Sequence, residues 1–297
     1  MKILITNVHL NCPRGSETWT ATIANGFKEL GHDVYAHSPG YGTFHKREML
    51  DIPYVSETGL VGVHYDLIVL GHPGRMLESI KNTKWDNLAA MCYGRLPNAE
   101  MPINIPGAKH FCTSEEIRAQ YKDKFQFIVI NQAVSQEWFD LSPCEGELKR
   151  VLWAHHNKNR PDYASLEIAL RKRGVVLDKI GFPHSAEQGL IWPEDVRERY
   201  ARAQMIVGFG RWAYQGMAAG RSVAVANRRI VGMITPENYN SMVHFNLTER
   251  CNKISARDWE SVIEQWSPEL GVSLQQIAYQ QHHVTAVLNK FLTAVLT

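Results

Sequence analysis

Two periods alternate along this chain. Short unbroken apolar runs, as a strand buried on both faces requires, alternate with stretches whose apolar positions fall three and four residues apart. Lys2 to Thr6 predicts the first strand. A loop ending in Pro13-Arg14-Gly15-Ser16 follows, then a helix from about Glu17 with Trp19, Ile23, Phe27 and Leu30 on its buried side. Gly31 stops that helix and Asp33 to His37 reads as the next strand. A strand–loop–helix–strand unit of this length builds a parallel sheet. Further strands are expected at Tyr65 to Gly71, Ala89 to Gly94, Lys109 to Thr113 and Gln126 to Asn131, with Ser114 capping a helix over Glu115 to Tyr121.

Proline, glycine and charge then cluster in Ser142-Pro143-Cys144-Glu145-Gly146-Glu147, which reads as a linker. A second series starts at once. Strands are expected at Arg150 to His155, Val176 to Gly181, Met205 to Val207 and Ser222 to Ala226. Helices are expected at Asp162 to Arg173, with Tyr163, Leu166, Ala169 and Leu170 buried, and at Glu194 to Arg202. Ile277, Ala278, Val284, Leu288, Phe291, Leu292 and Val295 share one face of a long terminal helix over 274–296. The pattern predicts an α/β protein of two Rossmann-like parallel-sheet domains, 1–143 and 147–272, facing across a cleft. The tail 273–297 is a helix that must pack on something, with the first domain as candidate. A cleft between the carboxyl ends of two parallel sheets suits a small-molecule substrate.

The chain of 297 residues, 44% apolar and 21% charged, carries a net charge of +2. That balance does not point to a general nucleic-acid binder. Its five cysteines are widely spaced and lack a CxxC pair, so neither a disulfide framework nor a zinc site is expected. No apolar run reaches membrane-spanning length, and a cytoplasmic setting is the expectation.

Candidate chemistry collects where strands end. Between Val207 and Val223 the chain reads strand, glycine turn, short helix, glycine stop, strand. Gly208 and Gly210 allow a sharp turn and a close ligand approach. The helix after them offers free N–H groups and a positive dipole end, and Arg211 adds a forked donor that suits phosphate. Gly15 and Ser16 precede a helix in the same way and can hold a phosphate or a sugar hydroxyl. Lys158 and Arg160, in His155-His156-Asn157-Lys158-Asn159-Arg160-Pro161, suit a diphosphate. His155 and His156 are adjacent, so on a strand they face opposite ways and chelate one metal poorly. His72 follows an apolar strand and can hydrogen-bond a substrate. Walker A, GxGxxG, HExxH and GxSxG patterns are missing. Nucleotide hydrolysis, dinucleotide-dependent dehydrogenation, zinc proteolysis and serine hydrolysis are therefore set aside.

In their order these segments resemble the GT-B fold glycosyltransferases of the retaining family 4 type, as a short member trimmed on the acceptor side. The resemblance rests on Met1 to Asn7 with Arg14-Gly15-Ser16-Glu17 and Gly31-His32-Asp33-Val34, and on Tyr65-Asp66-Leu67-Ile68 with His72. It also rests on Thr113 to Glu116, Val129 to Val134, Gly208 to Val223, Thr235 to Tyr239 and Phe245-Asn246. It implies a sugar transferred from a nucleotide sugar to an acceptor hydroxyl, without a metal or other cofactor, from a UDP- or GDP-linked donor. Gly15, Lys158, Arg160, Gly210 and Arg211 would meet the diphosphate. Gly181 would hold the base and His72 would face the transferred sugar as the catalytic-site residue. The family commonly carries two glutamates where this chain has Val207 and Gln215; Gln215 would meet the ribose. The implied acceptors are a surface glycan, a lipid-linked intermediate or a small molecule. A nucleic-acid base is less favoured, and would use Lys109, Lys122, Lys124, Arg171, Lys172, Arg173, Arg228 and Arg229. The alternatives are a GT-B fold epimerase or phosphorylase and a non-catalytic binder of sugar nucleotides or glycans.

Overall fold

The computed structural model describes residues 1–94, 101–154, 161–181, 193–251, 256 and 258–297. Two compact units emerge, one of 1–133 with 284–297 and one of 134–283.

The first unit holds β1 (Lys2–Thr6), β2 (His9–Leu10), α1 (Gly15–Glu29), β3 (Asp33–His37), β4 (Gly40–Tyr41), α2 (Thr43–Glu48), α3 (Glu57–Leu60), β5 (His64–Gly71), α4 (Pro73–Met76), β6 (Lys84–Cys92), β7 (Lys109–Cys112), α5 (Glu115–Tyr121) and β8 (Phe127–Val129). Six strands form one parallel sheet in the order β3-β1-β5-β6-β7-β8. Alternate residues serve opposite faces, so Leu4, Ile68, Leu70, Leu88 and Ala90 join Met76, Ile80 and Ile105 in one core. Ser114 caps α5 by accepting the Ile117 N–H at 3.4 Å, as its position predicts. Leu30 departs from the expected apolar face of α1. It lies past the helix end and is 39% exposed, while Trp19, Ile23 and Phe27 are buried.

The second unit holds α6 (Gln136–Phe139), β9 (Arg150–Ala154), α7 (Pro161–Lys172), β10 (Val176–Ile180), α8 (Pro193–Arg202), β11 (Met205–Gly208), α9 (Arg211–Ala218), β12 (Ser222–Ala226), β13 (Ile230–Met233), α10 (Tyr239–Val243), α11 (Trp259–Ile263) and α12 (Pro268–His282). Its sheet runs β10-β9-β11-β12-β13, parallel except for the antiparallel edge strand β13. Side chains of α8, α9 and α12 pack on one face of the sheet, and those of α7 and α11 on the other. Burial on both faces explains the unbroken apolar run of β12.

The expected long terminal helix is two helices. α12 ends at His282, His283 takes an extended ψ of 134°, and α13 (Val284–Leu296) begins anew. α13 belongs to the first unit, where Phe291 lies 6.0 Å from Phe27 and 4.6 Å from Phe111, ring to ring. The ends of the second unit are tied together: Val134 donates its N–H to the His282 carbonyl at 2.7 Å.

Candidate functional site

Each sheet has a point where the chain reverses its direction of winding. In the first unit β1 is followed outward by β3, and then β5 pairs on the other side of β1. In the second, β9 is followed by β10 on one side and β11 on the other. The loops leaving the two strands at such a point diverge and leave a crevice at the strands' carboxyl ends. Among the expected site residues, Gly15 and His72 in the first unit and Gly210 and Arg211 in the second lie at these places, whereas Gly181 follows the edge strand β10.

In the first unit Gly15 opens α1 after β1. It is exposed, and a Cβ placed there would meet no atom within 4 Å. Ser16 is half-buried and donates its hydroxyl to Glu17 Oε2 at 2.9 Å. Glu17, unremarked as a buried group from sequence, is 2% exposed, and burial pushes its carboxyl up from the ordinary value. Periodicity hides this, because α1 buries side chains well beyond its single apolar stripe.

His72 lies just past β5, next to that loop in space because β5 pairs with β1. It adopts a left-handed conformation, φ 50° and ψ 61°, rare for a residue with a side chain. Pro73 follows and disfavours the right-handed helical region at residue 72. The preceding Gly71 is fixed by contact, since a Cβ there would stand 2.5 Å from the Thr6 carbonyl oxygen. The imidazole is 7% exposed and its centroid lies 5.3 Å from that of Tyr93. Burial, then the charges of His9 and Arg75, lower its pKa to about 4, so the ring is neutral at pH 7. Its Nδ1 is buried without a hydrogen-bond partner among the described residues. A strained, neutral imidazole with an open ring nitrogen is chemically suited to a ligand hydroxyl.

In the second unit Gly210 carries φ 53° and ψ −129°, a region that side chains avoid, and opens α9. Its carbonyl accepts the N–H groups of Ala213 and Tyr214, and its own N–H is held by the Leu247 carbonyl at 2.9 Å. Arg211 is half-buried at the first position of α9. Burial lowers its guanidinium to about 10, with Glu137 opposing the shift, so it stays charged at neutral pH. Gln215, one turn on, is 5% exposed and so sits deeper than a surface contact. Gly181 is half-buried directly after β10. Lys158 and Arg160, with His155 and His156, lie outside the described residues.

Val207 is a strand residue, paired with Ala224 and Trp153 and 1% exposed in the core. That position is inside the sheet and presents nothing to a ligand.

Four of the eight basic residues considered for a polyanion have partners within their own units. Arg173 pairs with Glu260 at 2.9 Å and Lys172 with Glu260 at 3.6 Å. Arg229 donates to the Glu249 and Cys251 carbonyls, and Lys109 to the Ala294 carbonyl. Among the described residues, the atoms of His64, Asp66 and Asp86 lie within 4.8 Å of one another, as a cation would need. They sit at the amino end of β5 and the early part of β6, away from the site face. His64 already pairs with Asp86, and Asp66 accepts the Lys2 N–H. All five cysteines are free thiols, and no helix among the described residues is long and apolar enough to cross a membrane.

No protein-family model matches the chain, and no curated protein matches it by sequence. Solved structures do match. The chain is similar to the calicheamicin glycosyltransferase CalG4 at TM-score 0.54 and 11% identity, over 100% of this chain and 98% of that one. It is similar to a protein assigned as a UDP-N-acetylglucosamine 2-epimerase from Listeria monocytogenes at TM-score 0.59 and 9% identity, over 99% and 95%. It is also similar to the T4 phage enzyme BGT, solved with UDP-glucose, at TM-score 0.53 and 12% identity, over 99% of each chain. At such identities the likeness concerns the fold: two Rossmann-like units, as in the GT-B glycosyltransferases.

Proposed function

We propose that this protein is a glycosyltransferase that moves a hexosyl or pentosyl group from a nucleotide sugar to an acceptor hydroxyl. The observation that carries the reading is that Gly15 and His72 follow β1 and β5, and Gly210 and Arg211 follow β11, each at the winding reversal of its own parallel sheet. The Gly210 turn in particular presents the start of α9 and the charged Arg211. In this reading the departing diphosphate is stabilised by the α9 N-terminus and Arg211, with Lys158 and Arg160, which follow β9 in sequence. Fixed cations and dipoles take the place of a divalent ion. Gly181 borders the base and Gln215 the ribose; within the first unit, Gly15 and Ser16 offer a helix start of the same anion-binding kind. Within the first unit, the neutral His72 offers its unpartnered ring nitrogen to a ligand hydroxyl. We take the transfer to be retaining, of the family 4 type, with a UDP- or GDP-linked donor and a glycan, lipid-linked or small-molecule acceptor. A nucleic-acid acceptor is less favoured, since Lys109, Lys172, Arg173 and Arg229 already have partners within their own units.

The experiment is a thermal-shift series against nucleotides and nucleotide sugars, with Lys158→Ala and Arg160→Ala in parallel. Stabilisation by one nucleoside diphosphate family, lost in both variants, is expected. No shift with any of them overturns the reading.

A further inference from the structure

The segment after α10 in the second unit holds two consecutive non-glycine residues in the left-handed region, Asn246 at φ 55° and Leu247 at φ 49°. Part of this has a local cause. Asn246 closes α10: its N–H reaches the Val243 carbonyl at 2.9 Å, and the Leu247 N–H reaches the Met242 carbonyl at 3.1 Å. Asparagine is a known second choice to glycine for such a stop. The stop does not require a second left-handed residue, and leucine gains nothing from that conformation. Leu247 holds it because its side chain is fully buried while its carbonyl accepts the Gly210 N–H at 2.9 Å. The strained segment is thus fastened directly to the glycine turn that opens α9.

Asn246 itself is half-buried, yet its side-chain Oδ1 is buried without a hydrogen-bond donor among the described residues. A buried carbonyl-type oxygen left without a donor is costly, so a ligand that supplies one gains the difference. The chemistry of that ligand group is restricted. A diphosphate at the turn is ionised and offers only acceptors, so it cannot satisfy Oδ1. A hydroxyl can.

Strand order says which hydroxyl. Along the sheet, Gly181 follows β10 at one edge, and the Gly210 turn follows the central β11. Asn246 opens a segment that runs from the Gly210 turn, held through Leu247, to the β12–β13 connection, where Arg229 donates to the Glu249 and Cys251 carbonyls, so it lies on the side away from β10. A nucleotide sugar laid with its base at Gly181 and its diphosphate at Gly210 presents the transferred sugar, not the ribose, toward Asn246. Val207 is sealed in the core and offers no acceptor for that sugar.

We infer that Asn246 reads the donor: its Oδ1 accepts a hydrogen bond from a hydroxyl of the transferred sugar, and so contributes to which nucleotide sugar is used. This rests on the glycosyltransferase reading above.

The test is calorimetric titration of the full chain with matched pairs, UDP-glucose against UDP and GDP-mannose against GDP, for the wild type and Asn246→Gly. Glycine keeps the left-handed backbone, so an unlowered thermal midpoint shows that the variant is folded. The expected result is a loss of about tenfold in affinity for the sugar-bearing member, with the bare diphosphate unchanged. Equal loss for both members assigns Asn246 to the nucleotide and overturns the inference, as does no loss for either. A wild type that binds none of the four overturns the glycosyltransferase reading and this inference with it.

Discussion

The α-carbon of Gly271 in α12 lies so close to Gly220 that a Cβ at residue 271 would stand 2.5 Å from the Gly220 carbonyl oxygen. Gly220 in turn has φ 67° and ends the segment that follows α9. The helix that closes the second unit is therefore seated on the connection from α9 to β12, at the other end of α9 from the Gly210 turn. Gly271→Ala must push two backbones apart. We expect a net destabilisation of about 1–3 kcal/mol despite alanine's better helix propensity, read from denaturant unfolding.

Gly26→Ala in α1 provides a graded comparison. A Cβ there would meet Val284 Cγ2 at 2.5 Å and Leu288 Cδ1 at 2.8 Å, both side-chain atoms of α13. Side-chain ends yield where a backbone carbonyl does not. The loss is expected to be smaller than at Gly271, with helix propensity offsetting about 1 kcal/mol of it. Paired urea titrations of the two variants check the order.

Gly210→Ala separates backbone strain from crowding. A Cβ at this position meets no atom within 4 Å, so any cost comes from φ 53° and ψ −129° alone. Alanine is expected to cost about 1–3 kcal/mol if the turn is kept. If the turn relaxes instead, stability recovers and nucleotide binding falls. Unfolding and titration measured together tell the two apart.

Arg221 is 2% exposed and holds backbone carbonyls: Nε donates to Tyr200 at 2.9 Å, Nη1 to Ser142 at 2.7 Å and Nη2 to Ala201 at 3.3 Å. Two of those carbonyls belong to the last turn of α8. Arg221→Met leaves all three without this donor and is expected to cost about 3 kcal/mol or more in chemical unfolding. By contrast, Arg173→Ala removes a partly exposed ion pair with Glu260 and is expected to cost less than about 1 kcal/mol.

His72 makes stability depend on pH. Its folded pKa, about 4, lies below the ordinary 6.5, so between these values the unfolded chain binds the extra proton. Stability from this group is therefore full above pH 6.5 and is lost as pH falls toward 4, at no more than about 1.4 kcal/mol per pH unit. Glu17, whose carboxyl is raised by burial, acts with the opposite sign. His72→Asn, which tolerates the left-handed backbone, is expected to show a shallower decline than the wild type over that window. Parallel slopes in thermal unfolding contradict this.

Much of the fold is legible in the chain because parallel strands are buried on both faces and leave unbroken apolar runs. Lys2 to Thr6 and Ser222 to Ala226 match their expected bounds for that reason, and Asp33 to His37, an edge strand, matches through the Gly31 stop before it. The break at His283 was not legible, because α12 and α13 continue one apolar stripe across it, and only the extended backbone there separates them. Edge strand β13 was missed because its four residues include Gly232, which weakens a strand signal. At the site, the Gly210 turn and His72 announce themselves through glycine and proline. Glu17 and Asn246 enter the sequence only as parts of the segments that carry the resemblance: burial of the one and strain at the other arise from packing, which no local pattern encodes.

The central claim is nucleotide-sugar-dependent transfer. Its most direct test is to incubate the purified protein with a panel of nucleotide sugars, with and without candidate acceptors, and follow both nucleotide products and sugar identity by mass spectrometry and NMR. The account predicts that one nucleotide sugar is consumed, releasing its nucleoside diphosphate in an acceptor-dependent reaction with the sugar recovered on the acceptor. Conversion of the sugar nucleotide to an epimer without acceptor, or binding without turnover across all acceptors, would contradict it.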